Sequence, residues 1–244
     1  MNHLALIDAH CHLDSFKNLE EVIAESRREK MRAIITCGYS LESSLASLKI
    51  ADAHKNFVFP VIGISPQVAM DTGSADAIMK LIRERKEEIV GVGEIGLDYH
   101  WGKTDEQKKR QRAHFLPQLS LALELALPVV IHSRNAEEDV LKILFESGAR
   151  EVLLHCFSGS AEQTARATER GFSLTVPPMR SKNRRKVIKS ADLKYLLVES
   201  DAPYIGKKPI DALRAVELIA EVKEARVEDV AAAACGNARK FFEI

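Results

Sequence analysis

The stretch Ile89-Val90-Gly91-Val92-Gly93-Glu94 is a short apolar run that ends in a carboxylate, and the same pattern repeats along the whole chain. Continuous apolar runs of this kind suit strands that are buried on both faces, as in a parallel sheet. A polar, amphipathic stretch that is typical of a helix separates each run from the next. The eight apolar runs occupy residues 4–7, 33–36, 57–62, 89–92, 128–131, 152–154, 172–176 and 195–198.

Eight β/α units in 244 residues predict an α/β fold of the (β/α)₈ TIM-barrel type. A doubly wound open sheet shares the same alternation and is the alternative. No Gly-x-Gly-x-x-Gly sequence opens a helix after the first run, and no Gly/Ser-rich linker divides the chain. We therefore expect residues 1–244 to form one domain.

Local signals predict where several helices begin and end. Asn18 is expected to cap the first helix, and Thr104-x-x-Gln107 has the form of a capping box before a long helical pattern. Pro117 lies inside that pattern and should kink or break it. A tail helix is expected around residues 227–234, closed by Gly236.

Composition restricts the class of protein. The chain has 35 Lys+Arg and 35 Asp+Glu, and this balance argues against a protein held on nucleic acid by bulk charge alone. No apolar run reaches the roughly 18 residues of a membrane span, and residues 1–8 lack the features of a secretory signal. The four cysteines are scattered without a Cys-x-x-Cys pair, so a reducing, cytoplasmic location is expected.

Six potential metal ligands lie where predicted strands give way to loops, which is the end of a barrel that carries active sites. Two of them are spaced two residues apart and so face the same way in an extended segment. One such residue alone would be read as a turn or capping residue, but six together predict a metal centre. They are His10, His12, Glu94, His132, His155 and Asp201.

Four histidines and two carboxylates exceed the needs of one tetrahedral zinc ion. They suit two divalent ions about 3.5–4 Å apart that share a carboxylate. We expect Glu94 to bridge the ions, and Asp201 to complete the first ion's shell and accept a proton from a metal-activated water. Cys11 should turn away from the site. The remaining histidines are expected to be structural or exposed: His3, His54, His100 and His114.

At this point the sequence resembles a known family, the TatD family of metal-dependent deoxyribonucleases. The matching segments follow one another in order over nearly the whole chain. They are Asp8-x-His10-x-His12, Gly93-Glu94-Ile95-Gly96-Leu97-Asp98-Tyr99-His100-Trp101, Leu127-Pro128-Val129-x-Ile131-His132-Ser133-Arg134, His155-Cys156-Phe157-Ser158-Gly159, Glu199-Ser200-Asp201-Ala202-Pro203-Tyr204 and Gly236-Asn237-Ala238-x-x-x-Phe242.

The resemblance implies a TIM barrel of the metal-dependent hydrolase superfamily with two metals on the six residues above. It also implies hydrolysis of DNA phosphodiesters, often from the 3′ end of single strands or frayed ends, commonly with Mg²⁺. The imidazole count alone favours Zn²⁺ or Mn²⁺. Two departures concern the substrate surface: Ser65 stands where the family usually has histidine, and the loop at residues 205–209 is shortened.

The predicted substrate surface combines basic and aromatic residues. A basic cluster at residues 180–186 follows the seventh run and a lysine pair follows the eighth, and the loops after these strands commonly bind phosphate in TIM barrels. Aromatic residues in neighbouring loops could stack on unpaired bases, and the family motifs add three polar positions. The predicted contacts are Tyr99, Ser133, Arg134, Ser158, Tyr204, Arg184, Arg185, Lys207 and Lys208, while Trp101 is a further aromatic candidate.

Two other functions compete with a deoxyribonuclease. Barrels with this ligand pattern also host amide, lactone and ester hydrolases. A metal-binding scaffold protein is the third reading, and the complete ligand set argues against it. The sequence indicates neither a membrane span nor an obligate protein partner.

Overall fold

The computed structural model describes residues 4–71 and 75–244, in which strands and helices alternate. The strands are β1 (Ile7–Cys11), β2 (Ala33–Cys37), β3 (Val58–Ile62), β4 (Gly91–Asp98), β5 (Val129–Arg134), β6 (Val152–Leu154), β7 (Ser173–Val176) and β8 (Leu196–Val198). The helices are α1 (Leu19–Arg28), α2 (Leu41–Ala53), α3 (Pro66–Ala69), α4 (Asp76–Glu84), α5 (Asp105–Glu124), α6 (Glu137–Ser147), α7 (Ala161–Glu169), α8 (Lys182–Ser190), α9 (Ala212–Lys223) and α10 (Val227–Phe242).

The eight strands pair in chain order from β1 to β8, and all seven pairings are parallel. Just beyond the last strand, two backbone hydrogen bonds bring the chain back to β1. Asp201 N–H donates to His10 O (3.0 Å), and His12 N–H donates to Ala202 O (2.8 Å). The fold is therefore the predicted single-domain (β/α)₈ barrel rather than an open doubly wound sheet.

A buried carboxylate helps to close the barrel between β8 and β1. Asp8 is fully buried and accepts hydrogen bonds from Ser200 N–H (2.8 Å) and Ser200 Oγ–H (2.5 Å). Burial raises the pKa of Asp8 well above its usual range, although the Ser200 bonds oppose that shift. This clasp lies two residues before His10 and directly before Asp201, so it fixes the two chain segments that carry these side chains.

The strand side chains divide between two apolar clusters. One cluster packs between the sheet and the surrounding helices. The second cluster contains every other residue of several strands, such as Ile7, Ile35 and Leu197, and these residues pack against the inner face of α10. Asn237 on α10 donates to Leu196 O at the start of β8 (2.8 Å), so α10 covers the amino-terminal end of the barrel. The carboxyl-terminal end is left for the candidate site.

Glu94 lies inside β4, because this strand continues past the apolar run to Asp98. The β4–β5 register shifts between Val92 and Ile95. Gly96 has φ +144°, and a Cβ atom there would lie 2.0 Å from His132 O. Glycine is thus required where β4 passes close to the backbone of a predicted metal ligand.

The signals predicted at two helix starts differ in outcome. The capping box at Thr104 and Gln107 is confirmed at the start of α5. Asn18 does precede α1, but its side chain donates to Glu21 Oε2 and makes no cap hydrogen bond. The position of the α1 start is thus predicted correctly, whereas the cap itself is not.

Pro117 does not break its helix, since α5 is continuous over Asp105–Glu124. The prediction of a break at this residue is therefore wrong. Residues on both sides of the proline are buried against the barrel, including Phe115 and Leu119. Gln118 also holds this segment by exchanging two hydrogen bonds with the backbone of Ile64. These contacts offset the roughly 3 kcal/mol that an interior proline costs.

The prediction that Gly236 closes the tail helix is also wrong. Helix α10 continues through it to Phe242, because Ala238, Phe241 and Phe242 pack into the second apolar cluster. The helix ends instead at Glu243, which adopts φ +53°. Tertiary packing therefore overrides the local glycine signal.

Candidate metal centre

The six predicted metal ligands converge at the carboxyl-terminal end of the barrel. Three of them lie within strands β1, β4 and β5, and the other three lie in the residues directly after β1, β6 and β8. Five are buried and the His132 side chain is 13% exposed. The six residues are His10, His12, Glu94, His132, His155 and Asp201.

Glu94 lies at the centre of the group and presents its two carboxylate oxygens to different histidines. Its Oε2 is 3.2 Å from His10 Nε2, 3.6 Å from His155 Nε2 and 3.9 Å from His12 Nε2. Its Oε1 is 3.5 Å from His132 Nδ1. A carboxylate that faces ligand atoms with both oxygens has the geometry expected of a bridge between two ions.

Asp201 completes one side of the centre. Its Oδ1 is 3.5 Å from His12 Nε2 and 3.8 Å from His10 Nε2. His10, His12 and Asp201 form one compact group of possible metal ligands, and His10, Glu94 and His155 form another. On the second side, His132 Nδ1 lies 3.2 Å from His155 Nε2.

Neighbouring histidines lower the pKa values of both carboxylates of the centre despite their burial. Burial opposes ionisation of Glu94, but the contact with His10 and the charges of His155 and His132 hold its pKa well below the usual range. Burial likewise opposes ionisation of Asp201, and contact with His12 and the charges of His155 and His10 lower its pKa. Two buried negative charges that face imidazoles can attract cations.

The histidine rings respond in opposite directions. Burial and the neighbouring His155 lower the pKa of His10. Burial would also lower the pKa of His12, but Asp201 and Glu94 outweigh it and the pKa is raised. For His155, burial is outweighed by the charge and hydrogen bond of Glu199, which raise its pKa to about 9.

The donor set fits divalent metal ions. His10 is fully buried; its Nδ1 has no hydrogen-bond partner among the described residues, and its Nε2 lies 3.2 Å from Glu94 Oε2 without the alignment of a hydrogen bond. An unpartnered imidazole costs free energy unless something binds it. Its Nε2 faces the carboxylates of Glu94 and Asp201, and mixed imidazole and carboxylate ligands suit ions such as Zn²⁺ and Mn²⁺.

Buried polar groups that the sequence reasoning missed stand behind three of the rings. His12 Nδ1 is 2.8 Å from Cys37 O, His132 Nε2 is 2.9 Å from Asp98 Oδ2, and His155 Nδ1 is 3.3 Å from Glu199 Oε2. Asp98 and Glu199 lie within the motifs quoted above. Their contacts with His132 and His155 could not be predicted, because the strand pattern does not indicate which side chains meet.

Cys11 behaves as predicted and turns away from the centre. It is fully buried, and its Sγ–H donates to Ile35 O (3.6 Å). Burial raises the pKa of its thiol well above the usual range.

Two tyrosines flank His12 at the mouth of the site. The ring of Tyr204 lies edge-on at 5.1 Å from the His12 ring, and that of Tyr39 at 5.5 Å. Tyr204 is 62% exposed, and its Oη is 3.4 Å from Ser15 Oγ. Tyr204 was predicted to line the substrate surface. Tyr39 was missed, although it lies just after β2 and so occupies the same kind of strand-end position as the predicted metal ligands.

The other polar and aromatic candidates lie on the opposite rim, and two of them are engaged with α6. Tyr99 Oη–H donates to Asp139 Oδ2 (2.6 Å), and Ser158 Oγ–H donates to Glu137 Oε1 (3.0 Å). Ser133 is buried, and its Oγ has no hydrogen-bond partner among the described residues. Arg134 is exposed at the end of β5.

The prediction that Arg184 contacts substrate needs correction. Its side chain is 1% exposed and lies beneath the loop that follows β6. The guanidinium donates to Phe157 O, to Cys156 O (3.2 Å) and to Cys156 Sγ (3.3 Å). Arg184 therefore braces the segment next to His155 and has no surface to offer a substrate.

The remaining basic candidates are at the surface, and two of them are paired. Arg185 donates to Glu221 Oε1 (2.6 Å), and Lys208 Nζ pairs with Glu25. Lys207 is exposed, and its backbone N–H donates to Asp211 (2.7 Å).

The three described histidines outside the centre lie in structural or surface positions. His54 pairs with Glu20 (3.2 Å), His100 packs edge-on against Trp101 (4.8 Å between ring centroids), and His114 is buried on α5. His3 lies outside the described residues. Ser65, which replaces the family histidine, is buried and precedes α3.

The sequence matches a known protein family over almost its whole length. The family profile described as "TatD related DNase" matches residues 7–243. The chain belongs to the TatD family. It is 34% identical over 256 residues to the metal-dependent hydrolase YabD of Bacillus subtilis, covering 98% of this chain and 99% of that protein. It is 29% identical over 260 residues to human deoxyribonuclease TATDN3, covering 98% and 95% respectively.

Solved structures support the fold. The TatD homologue YJJV of Escherichia coli superimposes with a TM-score of 0.89 at 27% identity and covers 98% of both chains. The chain is thus a metal-dependent hydrolase of the TatD family. Within residues 4–71 and 75–244, we find no helix with the length and apolar character needed to span a membrane.

Proposed function

We propose that this TatD-family hydrolase cleaves DNA phosphodiester bonds at single-stranded or frayed ends, acting as a 3′-to-5′ exonuclease with two divalent ions. The observation that carries the proposal is the convergence of four histidines on Glu94, whose Oε2 faces His10, His12 and His155 and whose Oε1 faces His132. We take residues 1–244 as one hydrolase domain and expect it to act in the cytoplasm.

The proposed ligands divide into two sets that share Glu94. One set adds His10, His12 and Asp201 to the shared carboxylate, and the other adds His132 and His155. When bound, two divalent ions would lower the pKa of a water molecule and neutralise charge on the phosphate. Mg²⁺, Mn²⁺ and Zn²⁺ are the candidate ions.

Asp201 is the proposed proton acceptor. Its side chain is 12% exposed, which gives it access to solvent that the fully buried His10 lacks. Its lowered pKa keeps the carboxylate ionised at neutral pH, so an oxygen is free to receive a proton from the attacking water. Glu94 is proposed to stay ionised throughout, since its pKa is held well below the usual range.

The surface around the centre can hold a nucleic-acid end. Tyr204 and Tyr39 border His12, and their rings could stack on an unpaired base next to the scissile bond. Arg185, Lys207 and Lys208 follow β7 and β8 and are proposed to bind phosphates. The activity named for human TATDN3 supports DNA as the substrate.

The charge of this surface also favours a second candidate, an amide, lactone or ester hydrolase on the same centre. Arg184 is buried, and Arg185 and Lys208 are paired with Glu221 and Glu25. The free positive charge near the site is therefore smaller than the sequence indicated, which would suit a small uncharged substrate.

One assay separates the two candidates. Protein loaded separately with Mg²⁺, Mn²⁺ or Zn²⁺ is incubated with single-stranded DNA labelled at either end, in parallel with a panel of small esters, lactones and amides. A product ladder that shortens from the 3′ end, and that a Glu94→Ala variant does not produce, would support the proposal. Turnover of the small substrates with intact DNA would favour the second candidate.

A further inference from the structure

Two of the proposed metal-binding histidines have a buried carboxylate on the side of the ring that faces away from Glu94. His155 presents Nε2 to Glu94 Oε2 (3.6 Å), and its Nδ1 lies 3.3 Å from Glu199 Oε2. His132 presents the other nitrogen, Nδ1, to Glu94 Oε1 (3.5 Å), and its Nε2 lies 2.9 Å from Asp98 Oδ2. The two rings are thus turned in opposite senses.

The Glu199 carboxylate is held in place by a directed hydrogen bond. Glu199 is fully buried, and Thr175 Oγ lies 2.6 Å from its Oε2. Thr175 Oγ also accepts from Cys156 N–H (2.8 Å), so the hydroxyl hydrogen is free to point at Glu199. Oε2 has two lone pairs, so it can accept from Thr175 Oγ–H and also from His155 Nδ1–H.

Asp98 is fixed in a similar way from the opposite rim. It is fully buried, and its Oδ1 accepts from the backbone N–H groups of His100 (2.9 Å) and Trp101 (3.1 Å). Its Oδ2 accepts from Gln67 Nε2 (3.0 Å), and this amide nitrogen also lies 3.3 Å from His132 Nε2. A carboxylate oxygen has two lone pairs, so Oδ2 can also accept from His132 Nε2–H.

An imidazole that binds a metal must present a lone pair on one nitrogen, and its other nitrogen then carries the hydrogen. A carboxylate placed behind that second nitrogen decides which tautomer is stable and how the ring is oriented. Here the two carboxylates lie behind different ring nitrogens, so they select different tautomers.

We propose that Glu199 and Asp98 are positioning residues that lock His155 as the Nδ1–H tautomer and His132 as the Nε2–H tautomer. His155 then offers Nε2 to a divalent ion and His132 offers Nδ1. The proposal rests on the proposed metal centre and deepens it, because it assigns the ligating atom of each ring and names the residues that determine it.

The test uses Zn²⁺, which is diamagnetic, and NMR spectra of protein with ¹⁵N-labelled histidine. Long-range ¹H–¹⁵N correlations in the Zn²⁺-loaded chain show which ring nitrogen carries hydrogen and which binds the ion. We expect Zn²⁺ on Nε2 of His155 and on Nδ1 of His132. Zn²⁺ bound to Nδ1 of His155 or to Nε2 of His132 would overturn the proposal.

Two isosteric variants test the carboxylates separately. Glu199→Gln should lower Zn²⁺ affinity, measured by chelator competition, by about 10- to 100-fold and should mix the tautomers of His155 but not those of His132. Asp98→Asn should give the converse. Glu124→Gln, an exposed carboxylate on α5 paired with Arg83, is the matched control and should leave both readouts unchanged.

The variants also separate a positioning role from a merely structural one. If affinity stays within twofold and both tautomers persist in the variants, the carboxylates only fill the core and the proposal is wrong. If Glu199→Gln does not fold, Thr175→Val removes just the hydroxyl that aims Glu199 and should give a smaller loss in the same direction. An unchanged affinity in that variant would contradict the role of Glu199.

Failure of this inference is distinguishable from failure of the proposed function. A chain that binds Zn²⁺ through the expected nitrogens but leaves DNA intact would contradict the nuclease and support the tautomer assignment. A chain that cleaves DNA with the opposite nitrogens bound would do the reverse.

Discussion

Among single residues, Glu94 is the proposed ligand that faces four of the other five. Its Oε2 lies within 3.9 Å of ring nitrogens from three histidines, and its Oε1 faces a fourth. His10, by contrast, faces the carboxylates of the centre through a single nitrogen. This difference makes the two residues unequal in what their removal should do.

We expect Glu94→Ala to abolish hydrolysis more completely than His10→Ala. Loss of a shared carboxylate weakens both ion sites, whereas loss of one imidazole leaves the other site with its ligands. Residual kcat/KM measured at saturating Mn²⁺ compares them, with the metal content of each variant as the control. Equal residual rates would contradict a bridging role for Glu94.

Arg184 and its neighbour Arg185 offer a matched pair of substitutions. Arg184→Ala should lower the free energy of unfolding by about 1–3 kcal/mol, because it leaves buried carbonyls of Cys156 and Phe157 without donors. Arg185→Ala removes only an exposed ion pair with Glu221, which is worth about 0–1 kcal/mol. Urea unfolding of the two variants measures both effects.

The reverse order of stability loss would mean that Arg184 is not the buried brace seen here. The periodicity of its helix contained the relevant signal, since Arg184, Val187 and Ile188 are spaced i, i+3 and i+4 and are all buried. The density of positive charge obscured it. A charge run does not reveal which of its members faces the core.

Among the secondary-structure elements, the segments after β7 and β8 carry the residues proposed to bind phosphate. We expect the combined Arg185→Ala, Lys207→Ala and Lys208→Ala variant to raise KM for single-stranded DNA and to leave kcat nearly unchanged. The log–log dependence of KM on salt should flatten by about 0.7 for each phosphate group that the variant no longer binds. Kinetics at several salt concentrations measure both quantities.

The control for this variant is an uncharged ester substrate, whose KM should not change. If KM for DNA and its salt dependence are both unaffected, these side chains form only a solvated face. The second candidate function would then be favoured.

Strand positions were more predictable than helix ends. Each of the eight apolar runs overlaps a strand. A strand that is buried on both faces is apolar at nearly every position, so its sequence pattern is easy to recognise. Pro117 and Gly236 led to wrong predictions of where two helices end. Each of these residues destabilises a helix locally by at most a few kcal/mol. Packing against the barrel outweighs such costs, and it depends on residues distant in the sequence.

For the molecule as a whole, closure of the barrel places six proposed ligands from β1, β4, β5, β6 and β8 within reach of one another. Strand-end position made their convergence predictable from the sequence, because every parallel strand of a barrel ends at the same face. The partners behind the rings, Asp98 and Glu199, could not be predicted in the same way. Their contacts depend on side-chain directions across neighbouring strands.

The metal-free protein should lose stability as pH rises from about 6.5 to about 9. The pKa of His155 is raised from 6.5 to about 9, and that of His12 is also raised, so protonation of these rings stabilises the folded state. This contribution is fully present below the unfolded-state pKa and disappears as pH passes the folded-state value. Thermal unfolding with a chelator, at intervals from pH 6 to pH 10, measures it.

Bound metal should change that profile, because an ion replaces the protons on these rings. With Zn²⁺ at 100 times its Kd, the folded state gains about 2.7 kcal/mol by mass action, and the affinity itself should rise with pH. A metal-free Tm that increases between pH 7 and pH 9 would contradict the protonation states inferred here.

The most direct test of the two-metal centre is anomalous diffraction from crystals of this chain grown with Mn²⁺. We predict two Mn²⁺ peaks about 3.5–4 Å apart, with Glu94 contacting both. His10, His12 and Asp201 should surround one peak, and His132 and His155 the other. A single peak at full occupancy under saturating Mn²⁺, or two peaks that do not share Glu94, would contradict a centre bridged by this carboxylate.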